Sequence, residues 1–274
     1  MRVETTDDWR PYDAAVAEFL ARDPVGNTVA LTVLDALRHD GGYGDQPPWF
    51  TWALDDAGAV RGVAFRTPPY DVGLPPTDRE AATALGRANR DRELPGANGS
   101  EPAVRAFAEG AGREVEVRMS EVQYALHALM EPAAVAGEPR PFSDDDLAVY
   151  APWMEGFFAE TGVVRRDPVR SLRTRLAAGG GLTLWWVGRE PVAMAGRSPM
   201  VAGVPRVGPV WTQPEHRGRG YGAAVTGHVC REALAAGATA CTLFADAANP
   251  TSNGVYLRLG FKPVGTMVEA AFRR

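Results

Sequence analysis

A short internal repeat constrains the fold of this chain more than any other feature of its sequence. The segment Val63-Ala-Phe-Arg-Thr-Pro68 matches Met194-Ala-Gly-Arg-Ser-Pro199 at an offset of 131 residues. Each copy follows an apolar segment and a polar turn, a pattern that is typical of a β-hairpin. The first arms of the two predicted hairpins are Trp49–Leu54 and Leu182–Val187. Two copies of one hairpin predict two domains of the same architecture in tandem.

The elements around the two hairpins occur in matching order. Helical patterns precede the hairpins at roughly residues 9–38 and 144–160, and Ser143 is the expected N-cap of the second helix. The stretch 131–141 between the halves is rich in proline and glycine, which indicates a linker. We therefore expect an α/β fold with two mixed-sheet domains, at residues 1–135 and 136–274.

A glycine-rich turn follows a predicted buried strand at 206–212. The turn consists of Arg217, Gly218, Arg219, Gly220, Tyr221 and Gly222, and a helical pattern runs from about 221 to 236. The first turn of a helix leaves backbone N–H groups unpaired, and the helix dipole favours negative charge there. Glycines let a phosphate approach the backbone without meeting a Cβ, and the two arginines add positive charge. The turn therefore predicts a binding site for a pyrophosphate group.

The same glycines also satisfy the dinucleotide-binding pattern G-x-G-x-x-A over residues 218–223, with Asp246 as a ribose ligand. That fold needs further βαβ units, and too few residues follow Asp246 to supply them. A nicotinamide cofactor is therefore the less favoured alternative. In the first half, the corresponding position holds Leu74-Pro-Pro-Thr-Asp-Arg79. Because prolines remove N–H donors, no phosphate site is expected in that half.

The composition disfavours several classes of function. A net charge of −5 with no block rich in Lys or Arg argues against nucleic-acid binding. No apolar run is long enough to span a bilayer and the N-terminus has no apolar segment, so we expect a cytoplasmic protein without a membrane anchor. Cys230 and Cys241 fall in apolar runs and are expected in the core. The four histidines lack metal-ligand spacing, so no metal site is expected.

The glycine turn and a later segment together resemble the GNAT superfamily of N-acetyltransferases. Residues 217–222 fit the motif R/Q-x-x-G-x-G/A, which in that family cradles the pyrophosphate of acetyl-CoA. Residues 248–261 are similar to the family's closing pattern, N-x-x-x-x-x-Y-x-x-x-G-F/Y. The motifs stand in the family's order within residues 140–274, and the first half resembles a degenerate second GNAT domain through the hairpin repeat. The resemblance implies the acyl-CoA N-acyltransferase fold and acetyl-CoA as co-substrate.

The resemblance also implies roles for individual residues. The strand before the turn pairs with the pantetheine arm, the turn binds the pyrophosphate, and two asparagines contact the cofactor. These residues are Val210, Trp211, Thr212, Arg217, Gly218, Arg219, Gly220, Tyr221, Gly222, Asn249 and Asn253. Tyr256 is implied as the general acid for the departing sulfur, and its ordinary pKa of ~10 suits donation at neutral pH. Two alternatives stay open, since a tyrosine also suits the core and an asparagine there also caps the short helix.

The general base is less clearly indicated. Asp246 ends a strand near the cofactor motif, Glu160 and Glu155 lie on the helix that lines the acceptor site in this fold, and a chain of waters would also serve. Backbone N–H groups of strand 207–212 are expected to bind the thioester carbonyl, and His216 is expected to face solvent. The predicted function is acetyl transfer to a primary amine of a small molecule or a peptide N-terminus, by direct attack on the thioester. The alternative is a non-catalytic acyl-CoA-binding or interaction protein, and oligomerisation stays open.

Overall fold

The computed structural model describes residues 1–40, 46–162 and 167–273, which form two compact units. Unit 1 consists of Met1–Gln123 with Val264–Arg274, and unit 2 consists of Tyr124–Pro263. This division differs from the predicted boundary between residues 135 and 136. Residues 124–135 lie in unit 2, and most of the last strand lies in unit 1. The limits 1–135 and 136–274 therefore stay a prediction about the sequence repeat.

The chain has eight α-helices and twelve β-strands in its described part. The strands are β1 (Arg2–Thr6), β2 (Trp49–Leu54), β3 (Val60–Arg66), β4 (Val72–Leu74), β5 (Gly96–Gly99), β6 (Glu114–Leu126), β7 (Glu138–Pro141), β8 (Gly181–Val187), β9 (Glu190–Arg197), β10 (Val207–Thr212), β11 (Cys241–Asp246) and β12 (Lys262–Arg273). The helices are α1 (Trp9–Ala21), α2 (Thr28–Asp40), α3 (Arg79–Asn89), α4 (Glu101–Ala111), α5 (Leu147–Thr161), α6 (Pro168–Ala177), α7 (Tyr221–Ala235) and α8 (Pro250–Arg258). Short 3-10 turns occupy Asp144–Asp146 and Pro214–His216.

The order of elements is the same in both halves, so the repeat in the sequence is a repeat of architecture. Each half runs strand, two helices, three strands, helix, strand, helix, strand. Both predicted hairpins form antiparallel pairs, β2 with β3 and β8 with β9. The helical pattern at 9–38 divides into α1 and α2, because Pro24 and Gly26 stand between them. Ser143 caps the second pattern as expected, in a capping box with Asp146.

Unit 1 is a mixed sheet with helices on both faces. Its strands lie in the order β1-β2-β3-β4-β5-β12-β6. The apolar faces of α1 and α2 pack on one side of β2 and β3, and α3 and α4 pack on the other side. All six residues of β2 are buried for this reason. The pair β4–β5 is parallel, with Val72 opposite Ala97 and Leu74 opposite Gly99.

Unit 2 contains an antiparallel sheet in the order β10-β9-β8-β7. Helices α5 and α6 pack on one face, where Trp153, Leu172 and Met194 share a core. Helix α7 is buried along a second stripe that includes Val225 and Val229. Strand β11 belongs to a different sheet, in which it is the neighbour of β6, and Thr242 Oγ1 donates to the Tyr124 carbonyl 2.8 Å away. Cys230 and Cys241 are buried free thiols, as the sequence predicts.

The stretch predicted as a linker is an ordered part of unit 2. Glu131 pairs with Arg231 of α7, and Pro132 lies against Gly227 one turn earlier on the same helix. The Trp185 indole donates to the Ala136 carbonyl over 2.9 Å, and β7 begins two residues later. These contacts are long-range, so the local composition that indicated a linker does not report them.

Each unit takes its closing strand from the opposite half of the sequence. In unit 1, Val268–Ala271 of β12 pair antiparallel with β5, with Val268 opposite Gly99. In unit 2, the end of β6 (Tyr124–Leu126) lies beside β11. The predicted α/β fold with two domains of the same architecture is therefore present, and the compact units differ from the repeats by this exchange of strands.

Two further findings concern the described ranges alone. None of the helices there is long and apolar enough to cross a membrane. The same residues contain no group of three or more His, Cys, Asp or Glu side chains that could hold a metal ion.

Candidate functional site

The candidate site begins where strands β10 and β11 separate. The two strands meet at one isolated parallel bridge, Arg206 with Thr242, and the Thr242 N–H donates to the Pro205 carbonyl 3.1 Å away. Beyond that bridge they belong to different sheets, β10 paired with β9 and β11 neighbouring β6. A gap therefore opens toward the carboxyl ends of both strands, where the backbone of β10 has no strand partner on one side.

Strand β10 directs unpaired backbone groups into this gap. The Gln213 N–H donates to Val192 of β9 over 3.1 Å, so residue 213 faces β9. Because successive residues of a strand present their N–H and C=O to opposite neighbours, Val210 and Thr212 point theirs away from β9. The register shifts between Val207 and Val210, which marks a bulge at Gly208 and Pro209. Of the residues predicted to pair with the pantetheine arm, Val210 and Thr212 thus face the open side of the strand, whereas Trp211 faces β9.

The glycine turn follows this strand and leads into helix α7. Gly218 and Gly220 have φ of +73° and +86°, values that side chains other than glycine rarely adopt. Gly220 is the N-cap of α7, and the helix has neither a side-chain cap nor an acidic residue in its first turn. The N–H groups of residues 218–223 make no hydrogen bond to any other residue that the structure describes. The turn therefore presents a row of N–H donors together with the positive end of the helix dipole.

The two arginines of the turn have different surroundings. The Arg217 Nη2 donates to both carboxylate oxygens of Glu160 at 2.9 and 3.0 Å, and its Nε donates to the Thr212 carbonyl at 3.0 Å. Its guanidinium also lies over the Trp211 ring, 4.8 Å from the centroid. Arg219 is exposed, and no residue in the described ranges pairs with its guanidinium. Arg219 is thus available to an anion, whereas Arg217 fastens the turn to β10 and α5.

Glu160 and Trp211 both contact Arg217 and so help to attach the turn to α5 and β10. Glu160 is the penultimate residue of α5, and the ion pair occupies both of its oxygens. Trp211 is 7 % exposed and packs edge-on against Phe157, with centroids 6.5 Å apart. The side chain of Trp211 is therefore held in the core, and its backbone, like that of Gln213, faces β9. A role for Glu160 as general base stays a prediction, and it requires the ion pair with Arg217 to open.

Tyr256 lies on the buried side of α8. It is 8 % exposed and packs against Tyr124 and Phe261, with centroids 6.2 and 5.8 Å away. Burial, with a smaller contribution from Cys230, raises the pKa of Tyr256 to about 12. Its hydroxyl makes no hydrogen bond to any group that the structure describes. The side chain therefore keeps its proton at neutral pH, and no internal acceptor competes for it.

Asp246, Asn249 and Asn253 hold together the turn that leads from β11 into α8. The Asp246 carboxylate accepts from the Ala248 N–H at 2.8 Å, and Asn249 caps α8 by accepting from Ser252 at 3.0 Å. The Asn253 amide donates to the carbonyls of Asp246 and Asn249, and its oxygen accepts from the Tyr124 hydroxyl at 2.9 Å. These bonds hold α8 against the end of β11. Cofactor contacts by the asparagines and base catalysis by Asp246 stay predictions.

The sequence missed two features next to the glycine turn. His216 was expected in solvent, but 13 % of its side chain is exposed, with Nε2 3.2 Å from Glu190 and its ring against Tyr221. Val135 lies beside Gly220, where a Cβ added to the glycine would be 3.0 Å from Cγ1. The ring of Tyr221 is also buried, so this residue offers only its N–H group. No sequence pattern indicates that His216 and Val135 lie beside the glycine turn.

Comparison with known proteins bears on the family and the fold of the chain. A family model described as the acetyltransferase (GNAT) family matches residues 142–261, so this part of the chain is a GNAT domain. No curated protein matches the sequence.

Solved structures similar to this chain extend the fold to both halves. An X-ray structure of a Drosophila protein is 13 % identical with a TM-score of 0.70, covering 98 % of each chain. A GCN5-related N-acetyltransferase from Sphaerobacter thermophilus is 18 % identical with a TM-score of 0.64, covering 98 % of this chain and 94 % of its own. A tandem GNAT protein from the clavulanic acid biosynthesis pathway is 13 % identical with a TM-score of 0.59, covering 98 % of each chain. At these identities the likeness shows the fold: two GNAT-like domains in tandem. The family match supports acyl transfer as the class of chemistry.

Proposed function

We propose that this chain, whose residues 142–261 form a GNAT domain, transfers an acetyl group from acetyl-CoA to a primary amine. The observation that carries the proposal is the open gap between β10 and β11 beside the glycine turn. An open strand edge and a row of helix N-terminal donors suit a long ligand with a peptide-like arm and a pyrophosphate. A nicotinamide nucleotide has no peptide-like arm to occupy the strand edge.

The residues that would hold acetyl-CoA divide by chemistry. Backbone groups of Val210 and Thr212 would pair with the pantetheine amides, and the N–H groups of residues 218–222 would bind the pyrophosphate, with the exposed Arg219 adding positive charge. When bound, acetyl-CoA supplies an acyl group activated as a thioester. A Val210 N–H that points into the gap would stabilise negative charge on the thioester oxygen, because it is already oriented.

Direct transfer requires two proton movements. The amine nitrogen forms a bond to the acyl carbon and gives up a proton, while the carbon–sulfur bond breaks and the sulfur takes a proton. Tyr256 is the proposed donor to sulfur, because its hydroxyl is protonated and unpaired within the described structure. Asp246, exposed at the end of β11, or water reached through it is the proposed acceptor, since Glu160 is engaged by Arg217.

The proposal is tested by calorimetric titration with acetyl-CoA, desulfo-CoA and NADH, followed by release of free thiol with a panel of primary amines. We expect micromolar binding of acetyl-CoA, no heat with NADH, and saturable thiol release with at least one amine. Binding of NADH in place of acetyl-CoA would restore the dinucleotide alternative. If neither acetyl-CoA nor NADH binds, the glycine turn has only a structural role.

One observation favours a second candidate, a protein that binds acyl-CoA without transfer. Of the acidic residues predicted as bases, Glu160 is ion-paired and Asp246 caps a turn. Stoichiometric acetyl-CoA binding with no thiol release across the amine panel would support that candidate. Saturable release with any one amine would exclude it.

A further inference from the structure

A guanidinium lies beneath the bulge of β10, apart from the glycine turn. Arg175 stands in the last turn of α6, and its Nη1 donates to the carbonyl of Gly208 at the bulge. A Cβ added to Gly196 of β9 would be 2.3 Å from the same nitrogen. Met194 is two residues away on β9 and packs with α5 and α6, so Gly196 faces the same side. A glycine in β9 therefore makes room for this side chain.

Among the residues that the structure describes, Arg175 has no acidic partner. In the described ranges, no carboxylate forms an ion pair with Arg175, and residues 163–166, the undescribed part between α5 and α6, are Val-Val-Arg-Arg in sequence. Burial lowers the pKa of the guanidinium, and the Tyr150 phenol acts in the opposite direction. A guanidinium has five N–H donors, and one of them is used by Gly208. A part-buried charge without a counter-ion is costly, so an anion at this place would be strongly favoured.

The position of Arg175 relates it to the transfer site. Gly208 precedes Val210, the proposed donor to the thioester oxygen, by two residues, so the Cα atoms of these residues lie at most about 7 Å apart. A hydrogen bond to the Arg175 guanidinium and one to the Val210 N–H each span about 3 Å. A small molecule with an anion near its amine therefore fits between these two groups. Helices α5 and α6 pack on the face of the antiparallel sheet on which Arg175 lies. The core residues Trp153 and Leu172 close that face. A monovalent anion matches the single guanidinium.

We propose that Arg175 binds a carboxylate of the acceptor, so that the substrate is a small amino acid or another amine that carries a carboxylate nearby. This inference rests on the proposed function of acetyl transfer and names its acceptor class. The carboxylate is bound and not consumed: the bonds that form and break are those at the amine and the thioester. Arg175 thus determines specificity, while the glycine turn holds the donor.

The alternative role for Arg175 is to brace the β10 bulge through Gly208. Matched acceptors separate the two roles: glycine, β-alanine and L-alanine, each against its carboxamide. We expect kcat/KM for the carboxylates to exceed that for the amides by roughly 100-fold, because the amide leaves the guanidinium unpaired. In Arg175→Met the carboxylates should fall to the level of the amides, with the amide rates changed less than about threefold. Arg175→Lys should keep a reduced preference, because a charge remains. Equal rates for each pair in the unaltered protein, or equal loss for both members in the variants, would overturn the proposal.

A binding measurement keeps this inference separate from the proposed function. N-acetylglycine, N-acetyl-β-alanine and N-acetyl-L-alanine are titrated against their carboxamides, and acetyl-CoA affinity is measured on the same preparations. Preference for the carboxylates that is lost in Arg175→Met supports the site even if acetyl-CoA does not bind. Acetyl-CoA binding without any such preference contradicts the carboxylate site and leaves acetyl transfer intact. The comparison within the unaltered protein holds even where a variant fails to fold.

Discussion

The two halves contain the same elements in the same order, yet only one keeps an open strand edge. In unit 1, β4 and β5 are paired over three residues, from Val72 opposite Ala97 to Leu74 opposite Gly99. In unit 2, the equivalent strands β10 and β11 meet at a single bridge and then belong to different sheets. The hydrogen bonds that close the first pair are those that the second pair leaves for a ligand.

The helix that follows each strand shows the same contrast. Helix α3 follows Pro75 and Pro76, and one of its N-terminal N–H groups, that of Ala81, donates to the Asp78 carboxylate at 2.9 Å. Glu80 adds a second negative charge in its first turn. Helix α7 follows glycines and has neither a side-chain cap nor an acidic first turn. In the first half, a side-chain cap and strand pairing thus occupy backbone groups that the second half leaves exposed.

The largest expected effect comes from giving the open site a side chain. Gly220→Val forces a β-branched residue to φ +86° with its Cβ 3.0 Å from Val135. We expect acetyl-CoA affinity to fall by about 100-fold in calorimetry, since the N–H groups lose their alignment. The matched control is Gly112→Val in unit 1, where φ is +66° and no atom lies within 4 Å. Both variants should lose about 1–2 kcal/mol of stability. Equal affinity in the two variants would show that the turn does not bind the co-substrate.

Removing the hydroxyl of Tyr256 comes next. Tyr256→Phe should lower kcat by about 100-fold with acetyl-CoA affinity unchanged, because the phenol acts on the leaving sulfur. Since burial raises the pKa of Tyr256 to about 12, the proton is lost only above that value. The wild-type rate should therefore show no loss from this group up to about pH 10. Tyr12→Phe in unit 1, where the hydroxyl is also buried, is the control and should leave turnover unchanged. Full activity of the Phe variant would assign Tyr256 to packing.

Substitution of either arginine of the turn should change acetyl-CoA affinity by a smaller factor. Arg219→Gln should weaken acetyl-CoA binding by about fivefold, an effect that shrinks as salt screens the exposed charge. Arg217→Gln should weaken it less, because its guanidinium is bound to Glu160 and Thr212. Calorimetry at low and high ionic strength measures both. A larger loss for Arg217 than for Arg219 would mean that the ion pair with Glu160 opens when acetyl-CoA binds.

The smallest effect is expected from removing the N-cap of α3, in the half where β4 and β5 are paired. Asp78→Ala should cost about 1 kcal/mol of stability in denaturant unfolding, because the N-terminus of α3 loses its acceptor. Acetyl-CoA binding should remain at one site per chain. Asp167→Ala, which removes the cap of α6 in unit 2, is the matched control for stability. A second binding site in Asp78→Ala would show that the cap alone, and not the paired strands, keeps the first half inactive.

Much of the fold could be predicted from the sequence because its signals are local. Apolar segments joined by polar turns predicted both hairpins, and glycines marked the turn before α7. That the first half has no phosphate site stays a prediction, which rests on Pro75 and Pro76 because they have no N–H groups. Residues whose role depends on a distant partner were predicted less well. His216 is an example, because its burial depends on Glu190 and Tyr221.

By itself the sequence determined the repeat, the glycine turn and the loss of that turn in the first half. Each depends on residues close together in the chain, through backbone conformation, hydrophobic period and missing donors. Only the tertiary structure decided which strand closes each unit, which arginine of the turn is free, and where Arg175 lies. Those outcomes are set by contacts between segments far apart in the chain, and in such contacts packing and charge pairing outweigh any local preference.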